Sequence, residues 1–133
     1  MTAAFTFSNS SNHPASDRRI LSLFFPRLPT DRIARRRWGL SWRLPGSTAH
    51  PDHPPLACAG RIANAMRITA LDETAETFGL RVGQGLAEAR AICAGLDVIE
   101  ADPAADRALL DAVADLVLGV AITRGPWKFT ATH

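Results

Sequence analysis

Short apolar strands that alternate with short helices predict an α/β or α+β domain. The segment from Ile20 to Phe25 is bulky and apolar and is stopped by Pro26, which is typical of a buried strand. Much further along the chain, Asp102 can cap a helix that has Pro103 at its first position, where a missing N–H costs nothing. Leucines and valines then recur at helical spacing, so this segment predicts a long amphipathic helix.

Between these two segments the sequence predicts further short elements. Capping residues mark the starts of helices, glycines mark their ends, and the proline-rich stretch 39–55 predicts a loop. The predicted elements are a basic helix capped by Thr30 or Asp31 and ending near Trp38, strands at 56–60 and 65–70, a helix from Asp72 to Gly79, a helix over 86–94, and a strand over 97–100.

The composition is that of an ordinary globular protein, with 47% hydrophobic and 21% charged residues. Cys58 and Cys93 lie far apart in apolar surroundings, which predicts buried thiols in a reducing compartment and no disulfide framework. The apolar run Ile20 to Phe25 is far too short to cross a bilayer. The first residues do not resemble a secretory signal, so we expect a cytoplasmic protein with no membrane partner.

The net charge of +2 is unevenly distributed along the chain. Between Arg18 and Arg43 the cations are opposed by Asp31 alone, whereas the acids from Asp97 to Asp115 face only Arg107. A basic first half favours a phosphate-rich partner. Codon bias in a GC-rich genome would produce the same excess of arginine, and charge alone does not separate the two explanations.

A cluster of arginines and tryptophans is the candidate nucleic-acid contact. Guanidinium groups pair with phosphate in a bidentate manner, and an indole can stack on a base. The structural alternative is a solvated helix end whose Trp38 folds back onto the core. The candidate DNA-binding residues are Arg32, Arg35, Arg36, Arg37 and Arg43.

Other chemistry is weakly represented. The stretch His50-Pro51-Asp52-His53 lacks the third or fourth ligand and the rigid frame that a metal needs. Gly83-Gln84-Gly85 is a fragment of a phosphate loop without the Gly-Lys-Ser/Thr that would follow. No nucleophile motif is present, and we expect no catalytic residues, no metal and no cofactor.

Three stretches, at 19–32, 56–80 and 81–103, together resemble the N-terminal part of the Y-family (UmuC-like) DNA polymerases. They include Leu-Ser-Leu-Phe-Phe-Pro-Arg-Leu and Asp-Pro-Ala-Ala-Asp, and they are most similar to the ImuB-type subgroup. The resemblance covers about residues 19–115 and implies a partial palm with fingers, built from a mixed sheet and short helices. ImuB-type proteins are described as polymerase-like members of a DNA-damage-induced mutagenesis cassette. They act with an ImuA partner and an error-prone replicative-type polymerase.

Against this family pattern, the residues that would support polymerisation are replaced. Phe24 falls at the position of the metal-binding Asp, and a benzyl group cannot ligate Mg²⁺, which needs oxygen ligands. With Phe78-Gly79 aligned to the family's Phe-Gly, Glu73 and Glu76 occupy the Tyr and Arg positions that grip a triphosphate, and two carboxylates would repel it. The resemblance therefore implies a protein that is not an enzyme.

The resemblance also suggests a domain organisation. We expect a disordered tail over 1–17, a partial UmuC-like palm and fingers domain over 18–118, and a C-terminal tail over 119–133 that departs from the family and indicates truncation or a shifted reading frame. The predicted function is a non-catalytic accessory role in SOS translesion synthesis and DNA repair. The predicted partners are the DNA backbone, an ImuA-like protein and an error-prone polymerase. The alternatives are a non-functional fragment and, less favoured, an active error-prone nucleotidyltransferase.

Overall fold

The computed structural model describes residues 2–9, 18–40, 42–43, 53–122 and 127–132. The chain divides into two compact units, one of residues 27–103 and one that combines residues 1–26 with 104–133. Each unit is described by itself. The elements in chain order are β1 (Thr2–Asn9), β2 (Arg18–Phe24), α1 (Leu28–Trp38), β3 (Leu56–Ile62), β4 (Ala65–Leu71), α2 (Glu73–Thr77), α3 (Leu86–Ile92), β5 (Asp97–Glu100), α4 (Pro103–Ile122) and β6 (Trp127–Thr132).

The unit of residues 27–103 is built on a three-stranded sheet with the order β4-β3-β5. β3 pairs antiparallel with β4 and parallel with β5, so the sheet is mixed. The predicted α/β class with a mixed sheet and short helices is confirmed.

The central strand β3 is buried on both sides because its alternate residues face opposite layers. Leu56 and Cys58 pack in one cluster with Ile33 of α1. Ala57 belongs to the other cluster, which includes Ala75 of α2 and Ala89 of α3. The helix α1 therefore covers one face of the sheet, and α2 and α3 cover the other.

Small residues make this close packing possible. The side chains of Ala57, Ala59, Ala75 and Ala89 are completely buried, so the layers approach without bulky side chains between them. Both cysteines are buried and neither is part of a disulfide, as their apolar surroundings predict. Leu56 and Ile68 are the largest apolar side chains among the fully buried residues, and they anchor the two clusters.

Local sequence signals set the boundaries of the elements in this unit. The Oδ1 atom of Asp72 accepts a hydrogen bond from the backbone N–H of Ala75 at 2.7 Å, which makes Asp72 the N-cap of α2, as predicted. Gly79 follows the helix with a φ of 83°, a left-handed conformation that glycine adopts without strain. The β3–β4 hairpin turns at Ala63 and Asn64, both with positive φ, between the two predicted strands.

The other unit contains a second three-stranded sheet with the order β2-β1-β6, in which β1 pairs antiparallel with both neighbours. The sequence predicts a disordered tail over 1–17, whereas residues 2–9 form strand β1; the rest of that segment lies outside the described residues. The sequence predicts no regular structure from Trp127 onward, whereas residues 127–132 form β6. Both differences have one cause, because each strand is held by partners distant in sequence. The predicted domain boundaries at 17/18 and 118/119 stay predictions.

The long helix α4 begins at Pro103, the residue that the sequence places at the first helical position. It runs for 20 residues to Ile122. Among the described helices, including this one, none combines the length and the apolar character needed to cross a membrane.

Candidate nucleic-acid interface

The helix α1 presents arginines on the face that points away from the sheet. Ile33 and Ala34 are buried against the sheet. Arg32, Arg35 and Arg36 are spaced at i, i+3 and i+4, so they share the opposite side of the helix. Arg35 and Arg36 are exposed, and Arg32 is partly buried. We call these three residues the arginine face.

Arg37 and Arg43, two candidate arginines, form ion pairs with acidic residues of the same unit. The Nη1 atom of Arg37 lies 2.6 Å from Oδ2 of Asp97 on β5. The Nη2 atom of Arg43 lies 2.6 Å from Oδ1 of Asp31 on α1. Both pairs are partly solvent-exposed, so each contributes little to stability but reduces the charge available to an external anion.

The first part of the acidic stretch lies beside the basic helix. Arg32, Arg36 and Arg37 line a groove of about 430 Å³ together with Glu100 and Asp102. These basic and acidic residues are far apart in the sequence but are neighbours in space. The positively charged surface available to an external anion is therefore smaller than the whole basic segment. It is limited to the solvent-exposed side of the arginine face.

Arg35 and Arg36 form the most accessible part of that face. For neither side chain is an ion pair or hydrogen bond found within the described part of the chain. Their position in the last turn of α1 is favourable in itself, because cations there interact with the helix C-terminus. The helix also carries like charges at Arg32 and Arg36, four residues apart, which repel each other by a few tenths of a kcal/mol in isolated helices (~0.2–0.5). An anion bound at this face would relieve that repulsion.

The aromatic residues at the end of α1 and just beyond it form a cluster of stacked and tilted rings. The ring of Trp38 stacks on His53 with the centroids 4.4 Å apart, and it contacts the ring of Trp42 at 6.4 Å. The guanidinium carbon of Arg43 lies 4.6 Å from the centroid of the Trp42 ring. Trp38 is therefore half-buried in a cluster of rings. The remaining residues of the histidine-containing stretch considered for a metal, His50 and Asp52, lie outside the described residues.

These rings line part of a second cavity, of about 360 Å³. Asp31, Asp72 and Glu73 also line this cavity, and we call it the acidic cavity. Burial raises the pKa of Asp31 above its ordinary value, although the positive charge of the adjacent Arg43 acts in the opposite direction. The cavity therefore combines aromatic surface with three acidic side chains.

The three positions at which the resemblance implies lost polymerase residues do not all lie in one unit. Phe24 is the last residue of β2, and its side chain is 65% exposed. Glu73 and Glu76 are exposed residues of α2 in the other unit. Within the described residues, no group of three or more His, Cys, Asp or Glu is arranged to hold a metal ion.

Glu76 has a partner that the sequence does not indicate. The Nη2 atom of Arg27 donates a hydrogen bond to Oε2 of Glu76 over 2.6 Å, although the two residues are 49 positions apart. This hydrogen bond raises the pKa of the Arg27 guanidinium, so the guanidinium stays charged. The Nε atom of Arg27 is buried and has no hydrogen-bond partner among the described residues. Arg27 thus places a positive charge beside the two carboxylates of α2, those of Glu73 and Glu76.

With this geometry in view, the chain was compared with known proteins. No protein-family model matches it, and no curated protein matches it. Among solved structures, the crystal structure of DinB from Sulfolobus solfataricus, a Y-family polymerase, is similar over 94% of this chain, with a TM-score of 0.46 and 8% sequence identity. The chain spans 27% of the length of that DinB chain. This likeness is too distant to assign the chain to a family.

The arginines are evident from the sequence, but most of their partners are not. Asp97 pairs with Arg37, and Glu76 pairs with Arg27. In both pairs the acidic residue is far from its arginine in the sequence. The one signal that pointed to such pairing was the reversal of charge sign between the first and last thirds of the chain. Two oppositely charged segments in a small domain are often neighbours, because pairing lowers the repulsion within each.

Proposed function

We propose that this chain is a non-catalytic, ImuB-like accessory protein of damage-induced translesion synthesis, and that it contacts the DNA backbone through the arginine face of α1. The observation that carries the DNA contact is the exposed pair Arg35 and Arg36 on a helix face that also holds Arg32. The sequence resemblance over residues 19–115 carries the family part of the proposal. An ImuA-like protein and an error-prone replicative-type polymerase are its proposed protein partners.

The absence of polymerase chemistry follows from the residue types. Between Arg18 and Thr30 the sequence contains no Asp or Glu, so no register of β2 supplies the missing magnesium ligand. At α2 the side chains that would meet a triphosphate are Glu73 and Glu76, and both are acidic. A primer-extension assay with Mg²⁺ or Mn²⁺ tests this part, and we expect no extension above the no-protein control. Template-dependent extension by the purified chain would overturn the non-catalytic proposal.

The DNA contact is tested by equilibrium binding to fluorescently labelled primer–template DNA. The double variant Arg35→Gln/Arg36→Gln removes two charges from the arginine face without shortening its side chains to alanine. If each arginine contributes an ordinary exposed ion pair of about 0.5–1 kcal/mol, the affinity falls roughly five- to thirtyfold at constant salt.

A matched control variant removes the same charge elsewhere. Arg81 and Arg90 are exposed, belong to the same unit, and lie in or next to α3, on the other side of the sheet from α1. The double variant Arg81→Gln/Arg90→Gln therefore changes the net charge equally but spares the arginine face. Equal losses of affinity in the two double variants would show that binding depends on net charge alone and would contradict the proposed interface.

A further inference from the structure

The acidic cavity takes no part in the proposed DNA contact, and its charge would repel a phosphate. It lies among α1, the start of β3 and α2, all within the unit of residues 27–103. Asp31, Asp72 and Glu73 supply three carboxylates, and among the described residues of the lining Arg43 alone carries a permanent positive charge. A cavity with this charge and an aromatic wall favours an organic cation over an anion or a neutral group.

The cavity already shows how it accommodates a guanidinium group. The Arg43 guanidinium lies over the ring of Trp42 and at the same time pairs with the carboxylate of Asp31. This combination of aromatic stacking and carboxylate pairing suits the planar guanidinium better than the compact ammonium of lysine. The Arg43 contact therefore identifies the kind of group that these walls can hold.

A second carboxylate in the cavity lacks such a partner. The Oδ1 atom of Asp72 caps α2, whereas its Oδ2 atom is buried and has no hydrogen-bond partner among the described residues. The nearest ring nitrogen, Nδ1 of His53, is 3.8 Å from this oxygen, beyond hydrogen-bond distance, and lies 2.9 Å from the carbonyl oxygen of Pro54. A buried carboxylate oxygen without a donor is costly, and a bound donor would remove that cost.

We propose that the acidic cavity binds the guanidinium group of an arginine from outside this unit, packed against the indole wall and paired with Asp72 and Glu73. Its volume of about 360 Å³ is at the lower end of ligand cavities and suits one side chain better than a large ligand. This site is separate from the arginine face and takes a ligand of opposite charge. The experiments on this site therefore test it independently of the proposed DNA contact.

The probe is N-acetyl-arginine amide, added to the full chain and followed by NMR of the indole N–H signals. The signals are assigned with Trp38→Phe and Trp42→Phe variants. We expect saturable shifts of the Trp38 and Trp42 signals with the arginine probe, and smaller responses to N-acetyl-lysine amide at equal ionic strength. A glycine-flanked arginine pentapeptide distinguishes the source: tighter binding than the probe indicates a protein segment, whereas equal binding indicates a free small molecule.

Two charge-removing variants connect the shifts to the proposed partners. Asn is as good an N-cap as Asp, so Asp72→Asn removes the charge and keeps the start of α2. Glu73→Gln changes an exposed side chain in the first turn of the same helix, and its matched control is Glu88→Gln in the first turn of α3. We expect each cavity variant to weaken the arginine probe at least about threefold and the control to leave it unchanged.

The proposal is overturned by any of three results. These are an absence of saturable shifts, equal binding of the lysine probe, and unchanged arginine affinity in both cavity variants when their spectra show an intact fold.

Discussion

Truncation of Ile68 to alanine is expected to destabilise the unit of residues 27–103 far more than the same truncation at Ile62. Ile68 on β4 is completely buried in the cluster beneath α2 and α3, whereas Ile62 at the end of β3 is 47% exposed. The substitution removes three carbons in each case. At about 0.8 kcal/mol per buried methylene, the buried site loses ~2.4 kcal/mol, and the residual cavity raises the cost to about 3–4 kcal/mol. The half-exposed site loses about 1 kcal/mol.

The assay is urea unfolding of the full chain followed by circular dichroism, combined with amide hydrogen exchange in β3 and β4. A domain of ordinary stability has only about 5–15 kcal/mol to lose, so Ile68→Ala should lower protection in both strands strongly. Equal effects of the two variants, or an absence of cooperative unfolding in the unmodified chain, would refute the reasoning about the core. The latter result would favour the alternative that the chain is a non-functional fragment.

Three further variants test the cap and the charge of the acidic cavity. Asp72→Ala should destabilise the chain by about 1 kcal/mol because the N–H of Ala75 loses its acceptor, and Asp72→Asn should restore most of that loss; equal stabilities of the two in urea unfolding would contradict the cap. Burial raises the pKa of Asp31 above 3.8, so the folded state holds this proton more tightly than the unfolded state. The associated stability is present below about pH 3.8 and is lost as pH rises through the raised pKa. Asp31→Asn should therefore gain stability relative to the unmodified chain as pH is raised from about 4 to 7, measured by thermal melts. If the variant instead loses stability relative to the unmodified chain over this range, the pairing of Asp31 with Arg43 dominates.

The elements with local signals were predictable from the sequence. Asp72 and Gly79 bracket α2, and Pro103 opens α4, because caps and helix starts depend on side chains within a few residues. The strands Thr2–Asn9 and Trp127–Thr132 were not predictable in this way. Each pairs with a segment from another part of the chain, and short-range patterns do not report such pairing.

The candidate interface was predictable only in part, for a related reason. The spacing of Arg32, Arg35 and Arg36 on a helix follows from the sequence alone. The pairing of Arg37 with Asp97 depends on how α1 packs beside β5, and this packing was visible only in the fold. The acidic cavity likewise required Asp72 to come next to a loop residue, His53, from which it is separated by two strands.

The salt dependence of DNA binding is the most direct test of the proposed contact. Each phosphate contact contributes about −0.9 to the slope of log affinity against log salt concentration on duplex DNA. The Arg35→Gln/Arg36→Gln variant should therefore have a slope that is shallower by about 1.8, and the Arg81→Gln/Arg90→Gln variant should keep the slope of the unmodified chain. Identical slopes for all three proteins would contradict DNA contact through the arginine face.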